Sequence, residues 1–206
     1  MKTLAGIVLL ATAGFGGTFN VLSTGMNSTT PGDFATPGGL DPHYTSGSGP
    51  VYVLTVVNRN WLGSDSLSQW IGPDPIDGGQ YAGALYNLDY QVSFDLTGLD
   101  PATASISGYW STDNYGHNIL INGTSTGQTT GLTLFDYENF FYFSISSGFR
   151  PGINTLDFLW ENSGGPGGLR VEFNSGTADP APEPGTFVLL GIAIAGAGLR
   201  RRLARG

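Results

Sequence analysis

Trp110, Asp113, Asn114 and Asn118 fall within nine residues of chain, an indole followed closely by a carboxyl and two amides. That mixture suits a sugar: the apolar face of a pyranose stacks on the ring, and its hydroxyls meet a few convergent polar groups. Trp61 is a second candidate ring, and Trp70 a third. Trp110 also ends an alternating segment, so packing in the core is the other reading of the same residue. For Trp160, next to Leu159, the core is the better reading.

Catalytic patterns are thinner. Gly123-Thr124-Ser125-Thr126-Gly127 has the spacing of a nucleophile elbow, but an elbow needs a strand before it and a helix after it. Here a hairpin turn precedes Ser125, and Gln128-Thr129-Thr130-Gly131 has no helical pattern, so the segment reads as a polar loop. His43 and His117 are the only histidines, without the spaced ligand cluster of a zinc site. Both read as loop or corner residues.

Asp136 and Glu138 would share a face if they lay in a strand, and Asp74 and Asp77 sit in a turn. Paired carboxylates of this kind serve glycoside hydrolysis when they flank one cleft, but a chain this acidic contains such pairs by chance. Asp113-Asn114 and the segment from Asp33 to Asp41 offer hard oxygen atoms compatible with Ca2+. The competing reading is Asx-turn capping. No other cofactor is indicated.

The elements that would position these residues are strands. Tyr90, Val92, Phe94 and Leu96 alternate with Gln91, Ser93 and Asp95, giving one apolar and one polar face. Residues 104–110 alternate Ile106 with serines, and Phe141, Phe143 and Ile145 share a face. Val51 to Val57 reads as a buried strand, and residues 153–160 and 169–173 complete the set. Residues 119–121 run into Asn122-Gly123, the strongest hairpin dipeptide. Gly/Pro loops separate the runs, and no long helix is predicted between residues 20 and 180. Seven or eight short strands predict an all-β chain, an antiparallel β-sandwich of two packed sheets.

Both ends of the chain differ from this body. Lys2, the apolar run Leu4 to Leu10 and Ala11-Thr12-Ala13 have the order of a signal peptide, placed at residues 1–17. The body is placed at 18–180. Residues 181–206 hold Pro182-Glu183-Pro184, a 14-residue uncharged run from Thr186 to Leu199, and Arg200-Arg201-Arg202. As a helix that run covers ~21 Å, short of the ~30 Å bilayer core. The arginines favour the cytoplasmic side.

Without the ends, three arginines face fifteen acids, a net charge of −12 against −8 for the whole chain. Such a body is a poor partner for nucleic acid or anionic lipid. Cysteine is absent, so no disulfide staples the fold.

The Pro-Glu-Pro motif, the Gly/Ala/Leu-rich run and the terminal arginines resemble the PEP-CTERM sorting signal. The resemblance implies an exosortase-type membrane protease and the export machinery as partners, transient insertion in the inner membrane and then a cell-surface or extracellular location. Such carriers accompany exopolysaccharide production. In order, Asp95-Leu96-Thr97-Gly98-Leu99, residues 104–110, Thr112-Asp113-Asn114, 119–123, 149–156 and 168–171 resemble the galactose-binding-domain-like jelly roll, a fold that serves sugar binding, ion binding and scaffolding alike. Together these imply an exported, non-catalytic protein of the cell surface or matrix, processed through its tail. The alternatives are a carbohydrate-binding module for exopolysaccharide and a polysaccharide-active hydrolase.

Overall fold

The structure, a computed structural model, describes residues 16–76 and 86–182. Residues 1–15 of the signal segment, Asp77 and the tail from Glu183 onward, with its apolar run and arginines, lie outside the described residues. Among the described residues ten strands are present: β1 (Gly17–Thr18), β2 (Tyr52–Val53), β3 (Ile71–Gly72), β4 (Tyr86–Asp95), β5 (Ser105–Asp113), β6 (Tyr115–Ile121), β7 (Thr124–Ser125), β8 (Phe141–Ile145), β9 (Ile153–Asn162) and β10 (Gly168–Ala178). A 3-10 turn covers Asp136–Glu138. Every pairing is antiparallel, and the strands form two sheets. The first has the order β2-β3-β10-β5-β8, with β1 also on β10; the second has the order β4-β9-β6-β7. This is the expected all-β sandwich of jelly-roll type.

Alternation decides which side of each strand is buried. Tyr90, Val92 and Phe94 of β4 and Leu156, Phe158 and Trp160 of β9 point inward from the second sheet. Ile106, Trp110, Phe143, Ile145, Leu169 and Val171 meet them from the first. Phe158 sits among rings, with centroids 5.7 Å from Trp110, 6.1 Å from Phe143 and 6.4 Å from Phe173. Between β6 and β7, Asn122 and Gly123 both have positive φ, 51° and 79°, as a type I′ hairpin requires.

Two readings of the sequence are corrected. The run from Val51 to Val57 is not one buried strand. Only Tyr52–Val53 pairs as a strand, and Val56 turns outward at 53% exposure, its N–H donating to the Ile76 carbonyl at 2.9 Å. His117 is not in a loop. It lies in β6 at a register shift between Gly116 and Asn118, and such a bulge re-aims the extra side chain.

The strands give the sandwich two distinct ends. Gly17 pairs with Ala178, so the chain enters and leaves side by side. The Asp100 N–H donates to the Asp179 carbonyl at 2.7 Å, and the Ala181 N–H to the Gly98 carbonyl at 2.9 Å. The opposite end holds Asp113, opposed by Gly168, and is about 33 Å away, the length of a ten-residue strand.

Candidate functional site

Far from the termini, Leu54, Trp61 and Trp70 form a second, smaller hydrophobic cluster beside the main core. Trp61 belongs to a loop, and what fixes it is a partner 52 residues later: its Nε1–H donates to Asp113 Oδ2 at 2.9 Å. Trp70 lies against it, ring centroids 4.5 Å apart, and donates its own Nε1–H to the Leu62 carbonyl at 2.9 Å. The ladder continues outward from Trp61 to Tyr137 at 6.5 Å and from Tyr137 to Phe135 at 6.1 Å. Phe135 is 59% exposed, and Leu132 and Leu134 beside it are exposed too.

A web of polar groups braces this tip. Asp136, fully buried, accepts bonds from the Thr130 hydroxyl and from the Thr133 N–H and hydroxyl. Its carbonyl accepts from the Ser111 hydroxyl at 3.0 Å. Asn114 Nδ2 donates to the Leu134 carbonyl at 3.3 Å, and its Oδ1 accepts from the Ser163 N–H at 2.7 Å. Burial pushes the Asp113 carboxyl up to about 7, and the bond from Trp61 offsets this only in part. Its Oδ1 has no hydrogen-bond partner among the described residues.

The expected ligand residues are thereby distributed. Trp61 and Asp113 meet, with Asn114 next to them, but neither Trp61 nor Trp70 presents an open face, at 6% and 0% exposure. Trp110 is fully buried; its indole lies over Gly116, where a Cβ would come within 2.6 Å of it. Asn118 lies on the second sheet, bonding Ser125 Oγ at 2.7 Å and accepting from the Gly127 N–H. The nine-residue segment does not converge on one site, because β5 and β6 belong to different sheets. The rings that do reach solvent there are Phe135 and, in part, Tyr137, neither of them among the expected ligand residues. Their signal is the apolar pair Leu134-Phe135 inside a segment without strand alternation.

Asp136 and Glu138 do not share a face, since the segment is a 3-10 turn that buries the first and exposes the second. Ser125 bonds Asn118 and lies in a two-residue strand with no helix after it. His43 Nε2 lies 3.1 Å from the Asn27 carbonyl. The carboxylates of Asp33 and Asp41 are engaged by neighbouring donors: Asp33 by Asn27 and Ser28, Asp41 by the N–H groups of Gly25, His43 and Tyr44. They serve as turn braces. No group of three or more metal-ligating side chains occurs among the described residues.

A separate open groove of about 610 Å³ runs along the second sheet, lined by Ser48, Leu88, Asp89, His117, Leu159, Trp160 and Glu161. His117 Nε2 and Glu161 Oε2 are 2.8 Å apart across it. Two carboxylates therefore share one groove, Glu161 held by His117 and Asp89 accepting from the Ser46 hydroxyl at 3.3 Å.

The described residues form an all-β sandwich whose last strand ends at Ala178, beside the start of the tail. Residues 180–202 match the PEP-CTERM protein-sorting motif, which marks a chain for export and sorting to the cell surface. No curated protein matches this chain. Among solved structures it is similar to a CBM35 from Paenibacillus barcinonensis, at 15% identity and a TM-score of 0.37, over 65% of this chain and 93% of that one. It is also similar to a family 35 carbohydrate binding module from an environmental isolate, at 14% identity and a TM-score of 0.33, over 61% and 85%. The β-sandwich assignment above stands on this chain's own strands.

Proposed function

We propose that this chain is an exported, non-catalytic protein of the cell surface or extracellular matrix, delivered by residues 1–17 as a signal peptide and processed through its tail by an exosortase-type membrane protease. The observation that carries this reading is where the body stops. The last strand ends at Ala178, Ala181 makes a final bond to Gly98, and the matched motif begins at residue 180. A cut beyond Pro182 removes no strand and no core residue of the described fold. The tail pauses in the membrane, its short apolar run helped by arginines that snorkel to the cytoplasmic surface. A chain with Pro182-Glu183-Pro184 and Arg200-Arg201-Arg202 all replaced by alanine should keep its tail and stay with the membrane fraction, read by immunoblot and protease shaving of whole cells. Unchanged processing and surface exposure would overturn the reading.

The non-catalytic part has its own check. Asp89 and Glu161 are the carboxylates that share a groove, so a hydrolase would act there. Incubation with neutral polysaccharides should release no reducing ends; release that Glu161→Gln abolishes would establish the hydrolase instead.

A further inference from the structure

The outer face of the first sheet carries rings and hydroxyls where most exposed sheets carry charge. Tyr109 of β5 and Tyr142 of β8 are directly opposed across the strands. Their rings meet edge to face at 5.5 Å, and Tyr142 is 57% exposed. Phe140 extends the row, 5.9 Å from Tyr109, and is held from its other side by the Arg170 guanidinium 4.8 Å from its ring. That guanidinium is itself fixed, with Nη2 2.8 Å from Asp65 and Nε–H donating to Ser68 at 2.8 Å. Below the rings, hydroxyl pairs bridge β5 and β10: Ser107 with Ser175 at 3.1 Å and Ser105 with Thr177 at 3.0 Å.

A row of rings, one exposed and two half-buried, that no described residue covers marks an interaction surface. Its rings are pre-positioned by one another, which lowers the ordering cost of binding. Paired hydroxyls still have lone pairs to accept a further bond. The outward positions from Ser105 to Tyr109 and from Tyr142 to Ser144 carry no charged residue; the one carboxylate beside them, Glu172 opposite Tyr109 on β10, is largely buried and lies 3.9 Å from Arg170 Nη2, while the body as a whole stands at −12. A polyanion is therefore repelled, and a neutral, hydroxyl-rich chain is not.

We infer that this face, with Tyr142 as its exposed ring and Tyr109 as its brace, binds a neutral polysaccharide chain. The inference rests on the proposed export of the body, since only outside the cell does it meet such a polymer. The test does not depend on that route: the purified full chain, kept soluble in mild detergent, is run in native gels containing galactomannan, mixed-linkage β-glucan or dextran, with alginate as the polyanionic control. At least one neutral polymer should slow the chain and alginate should not. Loss of an exposed central ring costs about 10-fold in affinity or more, so Tyr142→Ala should raise the apparent Kd by that factor while Tyr142→Phe retains binding. Thermal melting confirms that both variants fold. Three results overturn the inference: no retardation in any neutral gel, retardation by alginate alone, or Tyr142→Ala binding like the parent. A concentration-dependent dimer that Tyr142→Ala dissolves would assign the face to a second copy instead. Any of these leaves the sorting reading intact, because location and tail removal are read separately in cells.

Discussion

At one end of the sandwich Asp95 and Asp100 cap exposed turns, whereas at the other Asp113 and Asp136 are buried beneath rings and loops. The contrast shows in the carboxyls themselves. Asp95 is held below its usual range by the hydroxyl and N–H of Thr97, and Asp100 accepts from the Ala102 N–H at 2.9 Å. Between them the chain still contributes Leu96 to the main core, fully buried. Asp113 is driven the other way by burial. The end where β10 leaves the sheet is thus rimmed by exposed turn carboxylates above the buried Leu96 and Asn154. The far end is consolidated by buried tryptophans and buried polar bonds.

The comparison breaks most sharply at Trp70. Truncating a fully buried tryptophan costs about 3–5 kcal/mol, so Trp70→Ala should lower the unfolding free energy from urea melts by that much. A loss below about 1 kcal/mol would mean that the far end is not the consolidated one.

Asp113 gives a smaller effect with a defined sign. Its folded value of about 7 stands above the ordinary carboxyl value of 3.8, so folding takes up a proton between those limits. Stability from this group is full at acid pH and is lost as pH rises through about 7. Asp113→Asn keeps an acceptor for Trp61 and should flatten the decline between pH 5 and 8, by about 1–3 kcal/mol. Asp41 and Glu172, also raised by burial, leave a residual slope of the same sign. An unchanged profile in urea melts across that range would show that Asp113 is not protonated in the fold. Asp95 has the opposite sign, its contribution fading as pH falls below the usual carboxylate range. Smallest is Asp100→Ala, whose lost turn bond should cost about 0.5–1 kcal/mol. A cost rivalling Trp70→Ala would erase the difference between the ends.

Much of this was legible in the sequence where partners are near or the period is strict. The alternation over Tyr90 to Asp95 is β4, and Asn122-Gly123 is the hairpin. The same alternation gave Trp110 its inward side: Ile106, Gly108 and Trp110 share a face. Phe141, Phe143 and Ile145 point in, so Tyr142 points out. What was not legible depends on distant partners. The two-residue β1 and β3 exist because β10 offers them an edge. Trp61 sits in a segment without period, and its burial follows from Asp113 far along the chain. Asp136 looked like half of a carboxylate pair until the 3-10 turn separated it from Glu138.

The most direct measurement is the intact mass of the protein recovered from the cell surface. Delivery through the tail predicts a chain that begins after the signal segment near residue 17 and ends past Pro182, without Arg200-Arg201-Arg202. A surface protein that still carries the arginines, or a chain that never leaves the cell, would contradict it.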